Sequence, residues 1–435
     1  MSEPVEGNPP VAAPNRWLGS VRRFLHEAKA GFSGYILASY SSQVANMLGT
    51  LLVLRWLPPT QLGVWQTMLL VETYAMVLRL GVINGMNRQL PLLMGRGEDA
   101  AARDHAETAL TYTLLIAGAL FLGFLGAAAL WPGENEIWRL SLITLACYTP
   151  CGLYSAFNEA TFRGSRTFSL LGRVLLLNAL LGVGLLLLVA RFGYTGHCAR
   201  LLILSLSYAL LTHVLRPLKL RPRFSAEVFR KLIKVGIPLF AQNYLLRISL
   251  SACPLVLLWL GGSKALGLFA PVTAVFSVVG LMPNSLMSYV QPQQHFDYGQ
   301  HGSAAAIVQK ATRLTFVLML ASVPFALLGL PAIPWAVRTF IPEYIAATSA
   351  MQVAVVIGLI RIFSVATSVY STLAAWKEMF VNQFALGLSH VLGALSGALL
   401  MPERPWLGVT WGLLAAYMLY IPVTLRSLRS VATSY

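Results

Sequence analysis

The chain has 435 residues, carries a formal net charge of +16 at pH 7 and is 57% hydrophobic. That apolar fraction lies above the range of soluble domains and points to a membrane protein. The basic excess would suggest nucleic acid in a soluble chain, but no basic module interleaved with aromatic residues exists to bind it, so no nucleic-acid partner is expected.

Residues 1–14 are polar and proline-rich, which predicts no regular structure, and the first 30 residues lack the pattern of a signal peptide. Residues 16–30 mix Trp17, Leu18, Val21, Phe24 and Leu25 with Arg16, Arg22, Arg23 and Lys29, the pattern of a short helix lying on the membrane surface. Six apolar runs follow, near 33–54, 62–87, 109–131, 137–160, 168–190 and 199–215. A basic segment with Pro217 and Pro222 occupies 216–234. Six more runs lie near 235–259, 265–291, 307–330, 344–373, 379–400 and 406–425. Each run is long enough for a hydrocarbon core about 30 Å thick, at about 1.5 Å rise per helical residue. The expected class is therefore an all-α polytopic membrane protein with twelve transmembrane helices. Its divisions are an N-terminal tail and interfacial helix (1–32), an N-lobe (33–215), a basic linker (216–234), a C-lobe (235–425) and a C-terminal tail (426–435).

Charge assigns the sides. Numbering the flanks of the runs alternately from the N-terminal tail, 22 of the 32 Lys and Arg fall on odd flanks and seven on even ones. Basic residues near span ends stay on the cytoplasmic side, so both termini are expected to face the cytoplasm, and anionic headgroups account for most of the net charge.

Shifting the chain by 204 positions lays the second set of six runs on the first. Gly63 then meets Gly267, Trp131 meets Trp335 and Asn178 meets Asn382. An even number of spans per half keeps both halves in one orientation, as in a parallel repeat, and such repeats enclose a substrate site at their interface.

Catalytic chemistry finds little support. The connections on the even side are short, and their polar candidates, Glu134, Glu136, His197, Glu343 and Glu403, are scattered over different loops. No phosphate-binding glycine loop occurs, which excludes an ATPase of the chain's own. Cys147, Cys151, Cys198 and Cys253 lie in or beside spans without a completing set of ligands, so neither a metal nor any other cofactor is expected.

Three arginines lie inside apolar runs: Arg79, Arg247 and Arg361. An isolated mid-span arginine costs about 2.5–3.5 kcal/mol on insertion scales, so each needs a compensating environment. Counted along straight helices from the nearest basic end, they lie about 13, 20 and 24 Å deep. The functional reading places all three on one aqueous cavity between the lobes, where guanidinium groups fork onto phosphate oxygens. The structural alternative has each one snorkelling or sealed against carbonyls and an acid. Arg247 shares its helix with Gln242, Asn243, Ser249 and Ser251. Glu72 is the one acid well inside a run, and serves either as an ion-pair partner or as a proton-coupling carboxylate. Gln43 and Asn46 belong to a polar stripe on the first run (Ser39, Gln43, Asn46, Thr50) that turns to protein or water. The expected substrate-binding set is Arg79, Arg247, Arg361, Gln43, Asn46 and Asn243, with Glu72 as the ion-coupling residue.

Several strings are familiar in their order and spacing. They are Arg55-Trp-Leu-Pro-Pro-Thr-Gln-Leu-Gly63-Val-Trp65, Leu80-Gly81-Val-Ile-Asn-Gly85-Met-Asn87-Arg88 leading to Gly95-Arg-Gly97, Val235-Gly236-Ile-Pro238, and Ile341-Pro342-Glu343-Tyr344. In a twelve-span context this set resembles the bacterial polysaccharide flippases, the Wzx-type branch of the MOP superfamily. The resemblance implies two six-helix lobes in a V, alternating access, and no enzymatic activity. It implies a substrate of one oligosaccharide repeat on a polyprenyl pyrophosphate, flipped from the inner to the outer leaflet of the bacterial cytoplasmic membrane. The product would serve surface polysaccharide biosynthesis, such as lipopolysaccharide O-antigen or exopolysaccharide. Membrane lipids and a polysaccharide polymerase or other assembly proteins are the implied partners. The alternatives are a MATE-type multidrug exporter, whose cationic substrates call for an acidic cavity, and a membrane enzyme of glycan assembly.

Overall fold

The computed structural model describes residues 33–133, 136–165, 167–301, 303–373 and 375–434, and within them it contains helices and no strand. The interfacial helix expected over 16–30 lies outside the described residues. In the first half the helices are α1 (Ser33–Trp56), α2 (Pro59–Ala75), α3 (Val82–Gly95), α4 (Asp99–Ala129), α5 (Glu136–Gly164), α6 (Phe168–Gly184) and α7 (Leu186–Val214). In the second half they are α8 (Ala226–His301), α9 (Ala304–Phe340), α10 (Thr348–Arg361), α11 (Ser368–Thr372), α12 (Trp376–Leu400) and α13 (Pro405–Ser434). Short 3-10 turns at Met76–Arg79, Pro342–Ala347 and Ile362–Val365 interrupt or extend the rods.

Among the described residues eight helices are long and apolar enough to cross a membrane, and the bent pair α2/α3 makes a ninth. The twelve expected runs all fall on helix. Runs seven and eight share α8, which turns at Gly262 (φ 65°, ψ −170°). Run six begins at Gly193 (φ 56°, ψ −129°), inside α7, so residues 186–192 complete run five instead. The tenth run is α10 and α11 joined through a 3-10 turn. The basic linker is irregular only to Ser225, since α8 starts at Ala226, and α13 continues as helix to Ser434 through most of the expected tail. The outer faces are apolar: Phe316, Val317, Leu320, Phe325, Leu327 and Leu328 stand exposed along α9. A soluble monomer rarely carries so large a patch, whereas lipid covers it at no cost.

The break between α2 and α3 has a local cause. Leu80 (φ 44°) and Gly81 (φ 76°) are consecutive left-handed residues, and the helix axis turns by 54° across them. Beyond the turn α3 is amphipathic: Val82, Ile83, Met86, Leu90 and Leu93 are buried, while Arg88, Pro91 and Leu92 face outward. This bend makes the straight-helix depth of Arg79 an overestimate.

Packing differs between the two ends of the bundle. At the end poor in Lys and Arg, one apolar core joins both halves. It contains Leu57, Leu62, Trp65 and Met68 from the first half and Leu257, Leu268, Phe269, Ile341 and Tyr344 from the second. At the Lys/Arg-rich end the core is divided. One part gathers α3, α4 and α5 with Leu220 and Leu232, and the other gathers the starts of α9 and α12 with α11 and the end of α13. Among the described residues, therefore, the halves share one apolar core at one end and hold separate cores at the other.

Glycines set the approach of the halves. A methyl group on Gly63 would sit 1.7 Å from the Ser263 carbonyl oxygen, and one on Gly267 would sit 1.7 Å from that of Pro59. Ser263 and Gly267 are Pro59 and Gly63 displaced by 204 positions, so the two contacts are reciprocal, as a two-fold relation between repeats requires. Towards the other end, Gly81 and Gly236 approach each other's carbonyls at 2.4 and 2.1 Å by the same measure, and Gly85 approaches that of Leu232 at 2.3 Å.

Candidate functional site

The seam between α2 and the first rod of α8 brings the charged residues together. The chains run antiparallel along it, with Gly85 beside Leu232, Gly81 beside Gly236, and Tyr74 beside both Tyr244 and Ser251. The Tyr244 hydroxyl donates to the Tyr74 carbonyl (3.0 Å), and the Tyr74 and Ser251 hydroxyls share a hydrogen bond of 3.0 Å. This register places Arg247 one turn from both Tyr244 and Ser251. It lies within electrostatic reach of Glu72 and Arg79 across the seam.

Arg79 and Glu72 are half-buried and Arg247 is exposed. The three approach without pairing, because the ion pairs among the described residues are Arg103–Glu107, Arg163–Glu159 and Lys231–Glu227. Nε of Arg79 is buried with no hydrogen-bond partner among the described residues. Arg79 ends the 3-10 turn at the break in the second span, where backbone carbonyls gather and a cation is favoured. A shallow cleft of about 10 Å³, room for about one water, lies against it, walled by Tyr112, Thr113 and apolar residues of α3, α4 and α5. Glu159 also lies within electrostatic reach of Arg79 but is itself paired with Arg163, so the locus keeps two cations against Glu72 and an unused donor on Arg79.

The other expected residues are distributed differently. Arg361 stands apart from this locus, within reach of His390 and Tyr417 in the second half. Gln43 and Asn46 lie on an exposed stretch of α1, and Thr50 bonds back to the Asn46 carbonyl at 2.9 Å. The side chain of Asn243 lies outside the described residues, as do those of Ser39 and Gln242. Asn382 is a packing residue, donating to Tyr420 and accepting from Thr424 (3.0 Å), and Gln352 donates to the Leu330 carbonyl (2.9 Å). Glu159 takes up Arg163 and the Tyr208 hydroxyl near the Lys/Arg-rich end. No group of three or more His, Cys, Asp or Glu suited to a metal occurs among the described residues.

His197 and Arg200 were expected near an outer loop but lie inside the first half. Both are buried; Nε of Arg200 donates to the Gly182 carbonyl (3.2 Å), and the His197 ring packs edge-on against Trp65. The small residues around them (Gly193, Gly196, Ala199) are the sequence signal for this fold-back: a methyl on Gly196 would sit 1.9 Å from the Leu188 carbonyl.

The fold matches those of MOP superfamily transporters. An inward-facing multidrug resistance MATE family transporter superposes with TM-score 0.72 at 15% identity, over 90% of this chain and 96% of that one. The lipid II flippase MurJ, in an inward closed conformation, gives 0.69 at 11% identity over 92% and 90%. An outward-facing MATE family transporter gives 0.63 at 16% identity over 92% and 97%. No protein-family model and no curated protein matches the sequence. At these identities the likeness establishes the fold, a multi-pass membrane bundle of the MOP type.

Proposed function

We propose that the chain is a transporter, not an enzyme, that flips a polyprenyl-pyrophosphate-linked oligosaccharide from the inner to the outer leaflet of a bacterial cytoplasmic membrane. The single observation that carries this reading is the seam locus of Arg79, Arg247 and Glu72, with two cations against one acid and no ion pair among these three. With the Lys/Arg-rich end in the cytoplasm, the locus is loaded from the side where lipid-linked sugars are assembled. The two guanidinium groups replace water around the pyrophosphate. Hydroxyls of Tyr74, Tyr244 and Ser251 are at hand for sugar, and the prenyl tail remains in lipid. Glu72 balances one of the cations when the site is empty and couples release to proton uptake. The halves then rock about the site, and the glycine contacts at the Lys/Arg-poor end separate. A polysaccharide polymerase or another assembly protein is the proposed recipient on the far side.

The likeness to MATE transporters favours a second reading, export of cationic drugs. Two cations against one acid at the seam oppose it, because a cationic drug gains nothing from guanidinium walls.

The test uses proteoliposomes loaded with a fluorescent polyprenyl-pyrophosphate oligosaccharide. Arg247→Ala is expected to insert normally and to lose headgroup translocation. Unchanged flipping by this variant, or drug resistance conferred by the wild-type chain in its place, would falsify the assignment.

A further inference from the structure

The turn that carries Arg79 leaves a carbonyl to be answered. In a regular helix the Leu78 carbonyl accepts from the N–H four residues on. That residue is Val82, which here opens α3 beyond the left-handed pair Leu80 and Gly81, on an axis turned by 54°. The Tyr112 hydroxyl takes the vacant place and donates to the Leu78 carbonyl at 2.7 Å. Within a bilayer the backbone groups freed by a broken helix need such a partner from a neighbouring element. Tyr112 stands on α4, so the bond ties the turn to the body of the first half. Arg79 follows Leu78 and closes the turn, and Arg79 and Tyr112 line the same narrow cleft.

Aromatic packing fixes the phenol. Its ring lies 5.0 Å from that of Phe229 on α8, and Phe229 in turn lies 5.3 Å from Phe224. On the other side of the turn the Tyr244 hydroxyl holds the Tyr74 carbonyl, four residues before that of Leu78. The turn is thus bracketed by two phenols, Tyr244 from across the seam and Tyr112 from within the first half.

The repeat supplies an internal comparison. A shift of 204 positions sets Arg79 on Pro283 and Tyr112 on Phe316. Among the described residues, the corresponding stretch of α8 contains no left-handed residue; the point at which α8 departs from helix is Gly262. Phe316 carries no hydroxyl and stands exposed. The arginine, the break and the phenol therefore occur together in one half and are all missing at the matching positions of the other.

We propose that Tyr112 is a positioning residue for Arg79: its hydroxyl holds the broken turn in the geometry that brings the guanidinium to the seam. The proposal rests on the reading that Arg79 meets a pyrophosphate, and adds how that arginine is aimed. As the halves rock, Tyr244 leaves with the second half, while the bond from Tyr112 keeps Arg79 in place on the first.

Two measurements on the purified full chain in detergent test it. Tyr112→Phe keeps the ring against Phe229 and deletes the hydroxyl. Hydrogen–deuterium exchange at residues 77–82 is expected to quicken about fivefold in this variant, with residues 59–68 unchanged. Titration with farnesyl pyrophosphate is expected to show binding weakened about fivefold by Tyr112→Phe, but no further weakening when Arg79→Gln is already present, since no guanidinium is then left to aim. Equal weakening in both backgrounds overturns the proposal, because Tyr112 would then act without Arg79. Unweakened binding, or unchanged exchange at residues 77–82, overturns it as well. A wild type that does not bind farnesyl pyrophosphate removes the pyrophosphate reading instead. Exchange then decides Tyr112 by itself: quickening confined to the turn upholds the restraint, and its absence overturns it. If Tyr112→Phe fails to fold, Phe229→Leu, which loosens the ring contact and retains the hydroxyl, is judged by the same two measurements.

Discussion

At the Lys/Arg-poor end of the interface between the halves, a continuous apolar core crosses from Leu62 and Trp65 to Leu268 and Phe269, and Gly63 and Gly267 each press against a carbonyl of the other half. At the opposite end no core of described residues crosses between the two inner clusters, and the halves meet through α3 against the start of α8 at Gly81, Gly85 and Gly236. The first end is a seal and the second a one-sided joint. Opening the seal exposes apolar surface, at about 25 cal/mol for each Å² wetted, whereas closing the other end buries surface already available. On the proposed function the charged locus lies between them, and the energetics of the seal set how long the site stays shut on that side.

The largest expected effect therefore comes from forcing the seal. Gly63→Leu places a branched side chain where even a methyl group would sit 1.7 Å from backbone. Relief requires α2 and α8 to separate, and overpacking of this kind costs about 1–3 kcal/mol or more. In a cysteine-free background, Leu62→Cys is expected to resist a membrane-impermeant maleimide, since Leu62 is buried, and to react readily once Gly63→Leu is added. Equal protection in both would mean that this contact does not govern closure. The reciprocal change Gly267→Leu is expected to act alike, because the two contacts are related by the repeat.

A smaller effect is expected from the locus between the two ends. On the proposed function, Glu72 lowers the positive potential that a pyrophosphate meets at Arg79 and Arg247. Glu72→Gln removes that opposing charge at constant shape. At an effective dielectric near 20, a unit charge about 10 Å away contributes on the order of 1–2 kcal/mol, or about tenfold tighter headgroup binding. Turnover is expected to slow in proportion, because release then lacks its competing charge. Affinity by isothermal titration and flipping by proteoliposome assay read the two separately, and tighter binding with undiminished turnover would remove Glu72 from the coupling role.

What the sequence conveyed and what it concealed follow from the same contrast. The apolar runs were legible because lipid imposes a length and a composition on any spanning helix. The 204-position register was legible in Gly63 and Gly267, although its meaning, a mutual contact, was not. Depth along a helix was countable but rotation about its axis was not. Hence Arg79 and Arg247 come together whereas Arg361, at comparable expected depth, turns into its own half. The break at Leu80 and Gly81 was hidden because leucine gives no sign of a left-handed backbone; its conformation is dictated by the approach of Gly236. His197 and Arg200 were misplaced for a related reason. A span that folds back at Gly193 carries them inward, where the Gly182 carbonyl supplies a partner that no local pattern announces.

The finest test of the comparison is a single oxygen. Tyr344 is fully buried at the Lys/Arg-poor end, and its hydroxyl donates to the Leu57 carbonyl at 2.9 Å, joining the second half to the end of α1. Tyr344→Phe keeps the ring in the shared core and deletes only that bond, so the expected loss is about 1 kcal/mol. If the bond exists only while the seal is shut, the whole loss falls on the closed state and the open population rises about fivefold. Maleimide labelling at Leu62→Cys should then quicken by that factor in Tyr344→Phe while the melting temperature falls slightly. A lowered melting temperature with no change in labelling would place the bond in both states, and would make the aromatic core and the glycine contacts, without this hydrogen bond, the whole of the seal.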